Sequence, residues 1–166
     1  MKNTFKRSGA ALISLVLLLV LAVSAGAASR PDRGPASSQN VGVKFWKERS
    51  DKESMANSGI DPDRTATLTR QANGTYTLTL PVMQVSKLGV TGYLSGLTIG
   101  DVTYDGTLTG DFNKATAVLT IKNLPASVLT GSDVNKSVLV TCNIQMDLQV
   151  LGEINTSARM CIWNQK

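Results

Sequence analysis

From Cys142 to Val150 apolar and polar side chains alternate without a break. Cys142, Ile144, Met146, Leu148 and Val150 fall on one face, and Asn143, Gln145, Asp147 and Gln149 on the other. A period of two is that of a β-strand with one face buried. Ile154 to Trp163 answers it as a second arm, and a turn is expected near Leu151-Gly152-Glu153. This hairpin, Ser137 to Trp163, carries both cysteines and two of the five methionines, Met146 and Met160.

The rest of the chain repeats the pattern in shorter pieces. Val41, Val43 and Phe45 share a face of a first strand. Thr65 to Arg70 and Thr75 to Val82 flank Asn73-Gly74, a strong hairpin signal between two alternating runs. Leu97 to Ile99 predicts a short strand among glycines. Val102 to Tyr104 and Thr107 to Thr109 flank a tight turn expected at Asp105-Gly106, and Ala115 to Lys122 predicts a further strand. Between them, Glu48 to Arg64 is a polar loop in which Asp51 to Asn57 predicts one or two helical turns, capped by Ser50 or Asp51. About eight short strands and no amphipathic helix of ordinary length predict an all-β chain, an immunoglobulin-like antiparallel β-sandwich.

The N-terminus follows a different rule. Lys2, Lys6 and Arg7 precede an apolar run from Ala10 to Val23, and small residues close it at Ser24 to Ala28. This order predicts a secretory signal peptide over residues 1–27, with Ala25-Gly26-Ala27 as the cleavage pattern. An uncleaved anchor is the alternative, because the stretch through Ala28 is nearly long enough to span a bilayer. Residues 28–40, rich in Ser, Pro and Gly, predict a disordered linker, leaving 41–166 as one domain. The expected setting is secreted or cell-surface, with no stable membrane span after cleavage. The formal charge of +5 shrinks accordingly: three of seventeen basic residues and none of twelve acidic ones lie in the signal, leaving a near-neutral, interspersed surface. That is no nucleic-acid footprint.

Histidine is absent. With it go the commonest general base, the commonest metal ligand and the Ser-His-Asp triad. No pair of carboxylates is clustered in sequence either, so no reaction type presents itself and the chain is not expected to be an enzyme. Two cysteines cannot build an all-cysteine zinc site. Asp101, Asp105 and Asp111 lack calcium-loop spacing and are expected to form turns. Asn73, Asn135 and Asn155 open glycosylation sequons, which would matter only in a eukaryotic secretory pathway.

An even cysteine pair in an exported chain predicts a disulfide. A two-residue turn at Leu151-Gly152 would set Cys142 opposite Cys161. The apolar face of the second arm (Ile154, Ala158, Met160, Ile162) asks for a register one residue away. A single β-bulge between turn and cysteines would satisfy both. The alternative is two small buried hydrophobes.

The stretch Lys44 to Val82 resembles the first part of a near-iron-transporter (NEAT) domain. Phe45, the pair Ser54-Met55, Pro62 and Asn73-Gly74-Thr75-Tyr76-Thr77-Leu78-Thr79-Leu80 match in order and spacing a strand, a short helix with a Ser-Met pair, a proline segment and a "dGxYxVxLxL" hairpin. The resemblance implies an immunoglobulin-like sandwich at a bacterial surface, with haem between the short helix and the last hairpin, and a role in haem binding or relay during iron acquisition. It implies that Ser54 reaches a propionate and Met55 covers the ring. The family's iron ligand is a tyrosine in a Y-x-x-x-Y motif on the last hairpin, and Ile154 to Trp163 contains none. Thioether sulfur can also ligate haem iron, so Met146 or Met160 is the candidate there, core filling being the alternative for each. A second implication is a module without haem that binds a host or surface protein through the Lys47-to-Asn57 segment or an exposed sheet.

Overall fold

The computed structural model describes residues 37–87, 89–147 and 152–165. The expected signal, 1–27, lies outside the described residues. Residues 28–36 of the expected linker also lie outside them, and its last four, 37–40, belong to the first strand.

The described residues form nine strands: β1 (Ser37–Lys47), β2 (Ala66–Arg70), β3 (Tyr76–Pro81), β4 (Val85–Lys87), β5 (Val90–Ile99), β6 (Val102–Thr109), β7 (Val118–Leu124), β8 (Val138–Met146) and β9 (Glu153–Asn164). All pairings among them are antiparallel. Their order is β4-β5-β6-β7-β3-β2-β1-β9-β8, and β8 returns to pair with β5. Eight strands therefore close into one barrel-like ring, and β4 hangs on β5 as a hairpin arm. The expected all-β, antiparallel character holds. In place of two separate sheets, β1 joins β2 through Ser37–Val41 and β9 through Val41–Lys47.

Alternation explains both surfaces of the ring. Phe45, Leu68, Leu78, Leu80, Leu97, Leu119, Ile121, Met160 and Ile162 point inward and are fully buried. Outside, Thr67 faces Thr79, Thr79 faces Thr120 and Thr120 faces Thr107, a row of threonines across four strands. β-Branched side chains suit such a pleated, half-exposed surface.

The last hairpin has a different register from either one expected. Val138 pairs with Met160, Cys142 with Thr156 and Ile144 with Ile154. Met146 N donates to the carbonyl of Gly152 at 3.1 Å, continuing the register of Gln145 with Glu153; the expected turn begins at Leu151, outside the described residues. The expected disulfide falls with that register, and both cysteines are free. Cys142 lies opposite Thr156, five residues from Cys161, or about 16 Å along the strand. A bridge needs Cα atoms within about 7 Å. The thiols also face opposite ways. Cys142 belongs to the interior, whereas Cys161 is buried on the outer face, its Sγ 3.5 Å from the carbonyl oxygen of Asp133.

Among the described residues, no helix is long and apolar enough to cross a membrane.

Candidate functional site

At one end of the ring the inward faces of three strands run past the core. On β8 the row Val140, Cys142 continues to Ile144 and Met146. On β9 the row Met160, Ala158 continues to Thr156 and Ile154. On β5, Leu94 is followed by Gly92 and Val90. These continuations line a mostly apolar cavity of about 340 Å³. Val85 of β4 adds to the wall, and Ser54, Met55, Ala56 and Gly59 form a lip over it.

The lip is a single 3₁₀ turn, Met55–Gly59, following the end of β1. Its N-cap is Ser54, later than the expected Ser50 or Asp51; Ser54 Oγ accepts from Ala56 N at 3.3 Å. The side chain of Asn57 ties the turn to β1. Its Oδ1 accepts from Phe45 N at 2.8 Å, and its Nδ2 donates to the carbonyls of Phe45 at 2.7 Å and Ser54 at 3.1 Å. Ser54 N donates to the same Phe45 carbonyl at 3.0 Å. The approach loop is held from β9 by Arg159, whose guanidinium donates to the carbonyls of Lys47 and Ser50 at 3.1 and 3.0 Å and to the Asp51 carboxylate at 2.7 Å. Lys44 pairs with Glu53 at 2.5 Å while lying over the Trp46 ring.

Gly92 is the close-approach position of the wall. A Cβ there would stand 2.8 Å from Met146 Sδ and 3.0 Å from the carbonyl of Gln145. The Met146 thioether is thus seated against β5, in the space the missing side chain leaves.

Three of the four residues expected at a haem site, Ser54, Met55 and Met146, meet around this cavity. Met160 does not. It is fully buried in the core and absent from the lining. Its face continues outward as Thr156 and Ile154, which take its place in the wall. Tyr93 also lines the cavity, and its ring packs on Phe112 with centroids 5.1 Å apart. Sequence reading did not single out Tyr93, because the glycines around it hid the strand that carries it.

Burial pushes the Cys142 thiol up to about 12, so it stays protonated next to the cavity. No group of three or more His, Cys, Asp or Glu side chains that could hold a metal ion occurs among the described residues.

The fold is similar to that of solved NEAT domains. The chain is similar to the solved NEAT5 domain of IsdX2, a B. anthracis hemophore in complex with heme, with 11% identity and a TM-score of 0.50 over 78% of this chain and 98% of that one. A point mutant of the same domain, also in complex with heme, matches with the same identity and TM-score over 78% of this chain and 97% of its own. No family model matches, and neither does any curated protein.

Proposed function

We propose that this chain is a secreted or cell-surface, non-enzymatic binding module that takes haem into the cavity between the 54–59 lip and the last hairpin. The observation that carries the reading is the convergence of Ser54, Met55 and Met146 on one apolar cavity, in a fold whose solved neighbours hold heme. The ring is read as an immunoglobulin-like sandwich whose layers are joined through β1.

The lining fits the body of the ligand. Ile144, Ile154, Val85 and Val90 offer apolar walls to a flat macrocycle, and few polar groups interrupt them. A cavity of about 340 Å³ is at the small end of ligand pockets, so one edge of the ring stays in solvent. That edge would carry the propionates. Ser54 Oγ accepts a bond from Ala56 and keeps its own proton to donate to a carboxylate there. Met55, 59% exposed at the lip, closes over the ring. Bound haem would supply iron for acquisition; the protein supplies shape, orientation and shielding.

Titration of the purified protein with hemin tests this. A saturable change in the Soret band, weakened by Ile154→Glu, is expected. A spectrum indistinguishable from free hemin at micromolar protein would leave a module that binds a host or surface protein instead.

A further inference from the structure

We infer that the cavity recognises the tetrapyrrole macrocycle and not its metal, so that metal-free protoporphyrin binds as haem does. This rests on the binding reading above and concerns what the site would select.

The whole chain offers few groups able to hold iron firmly. It has no histidine, two cysteines, three tyrosines and five methionines. Cys142 and Cys161 are fully buried, and desolvation keeps Cys142 protonated. Tyr76 and Tyr104 pack against the core and are absent from the cavity lining. Met160 is a core residue, and Met83 is absent from the lining as well. The donors that do line the cavity are Tyr93, Met55 and Met146.

Of these, Met146 places its sulfur against β5 in the notch left by Gly92. Turning it toward a ring centre would empty that notch. Tyr93 alternates with the buried Gly92 and Leu94, so its side chain leaves β5 on the other face, and its ring packs on Phe112. Met55 lines the cavity from the lip and is more than half exposed, so a bond from its thioether to a metal would compete with water. What the wall presents in depth is apolar: Leu94, Ile144, Val85 and Val90. Such a surface responds to the flatness and apolar area of the ligand, which haem and protoporphyrin share. A metal that finds no strong donor adds nothing to the difference between them.

The test compares haem, metal-free protoporphyrin and zinc protoporphyrin by quenching of the intrinsic fluorescence of Trp46 and Trp163. Dissociation constants within about threefold of one another are expected. Ile154→Glu, a change at a half-exposed position of the mouth, should weaken all three alike, with an unchanged circular dichroism spectrum as the folding control. Haem tighter than protoporphyrin by more than about tenfold would overturn the inference and leave haem binding standing. Absence of binding by all three would overturn both.

Discussion

The side-chain amide of Asn57 brackets the peptide of Phe45, accepting from its N–H at 2.8 Å and donating to its carbonyl at 2.7 Å. It does for β1 what a neighbouring strand would do, and it fixes the lip to a residue whose side chain is fully buried in the core. The cavity roof is therefore set by a side chain acting as backbone.

Asn57→Ala leaves the Phe45 N–H without this partner. The expected loss is about 1–3 kcal/mol, the cost of a half-buried donor left unmade, together with weaker hemin binding. Urea unfolding and hemin titration of the same variant measure the two effects. Asn57→Asp keeps the acceptor for Phe45 N–H but sets a carboxylate oxygen against the carbonyls of Phe45 and Ser54 that Nδ2 now serves, and should cost at least as much as Ala.

Arg159 fastens the approach loop through three bonds that only a guanidinium fork can make at once. Its Asp51 partner is largely exposed, so the ion pair itself contributes little. Arg159→Lys should therefore change global stability by less than about 1 kcal/mol while speeding amide hydrogen exchange in residues 48–54. Exchange rates identical to wild type would show that the loop is held some other way.

Gly92 and Met146 should be energetically coupled. Gly92→Ala puts a methyl 2.8 Å from Met146 Sδ and 3.0 Å from a backbone oxygen of β8, a cost of about 1–3 kcal/mol for overpacking. Met146→Ala removes the first clash and not the second. A double-mutant cycle should show the pair costing less than the sum of the singles by at least about 0.5 kcal/mol.

Both thiols should be titratable in denaturant without reductant, and neither should react quickly in the native protein. The pH dependence has a defined sign. Burial raises the Cys142 thiol from 9.0 to about 12, so between those values the unfolded chain ionises while the folded one does not. Stability contributed by the neutral thiol is complete below pH 9 and is lost as pH rises toward 12, at up to about 1.4 kcal/mol per pH unit. Cys142→Ala should flatten that part of the stability profile.

The alternating runs made the strands legible, and the turns did not follow as easily. Asn73-Gly74 does sit in a hairpin turn, with Gly74 at φ +84°, yet the pairing ends at Arg70 and Tyr76 and the loop is five residues long. Asp105-Gly106 looks like a turn and lies inside β6. Gly106 is a glycine because a Cβ would meet Leu119 and the carbonyl of Ser95. The true turn is Gly100-Asp101, between the paired Ile99 and Val102. Gly92 and Gly96 similarly concealed most of β5, since in sequence a close-approach glycine is indistinguishable from a strand breaker.

The last hairpin shows the same limit in register. Period two runs on through Leu148 and Val150, which lie outside the described residues, while the described pairs reach Gln145 with Glu153. Alternation assigns faces and says nothing about where two arms meet, and every inference drawn from the turn, the disulfide included, moved with it. Ser54 and Met55 were legible by resemblance and Met146 by its face, whereas Met160 shares that strand pattern and differs only in depth. Asn57, Arg159 and Tyr93 act through contacts with residues far away in sequence, which no local pattern records.

The most direct measurement is a map of amide chemical-shift changes as hemin is added to labelled protein. Binding in the cavity predicts that the largest changes fall in residues 54–59, 85–94, 144–146 and 153–156, while the threonine row at Thr67, Thr79, Thr120 and Thr107 stays still. Changes centred on that outer face, or none in the lip and the last hairpin, would contradict the assignment of this cavity as the binding site.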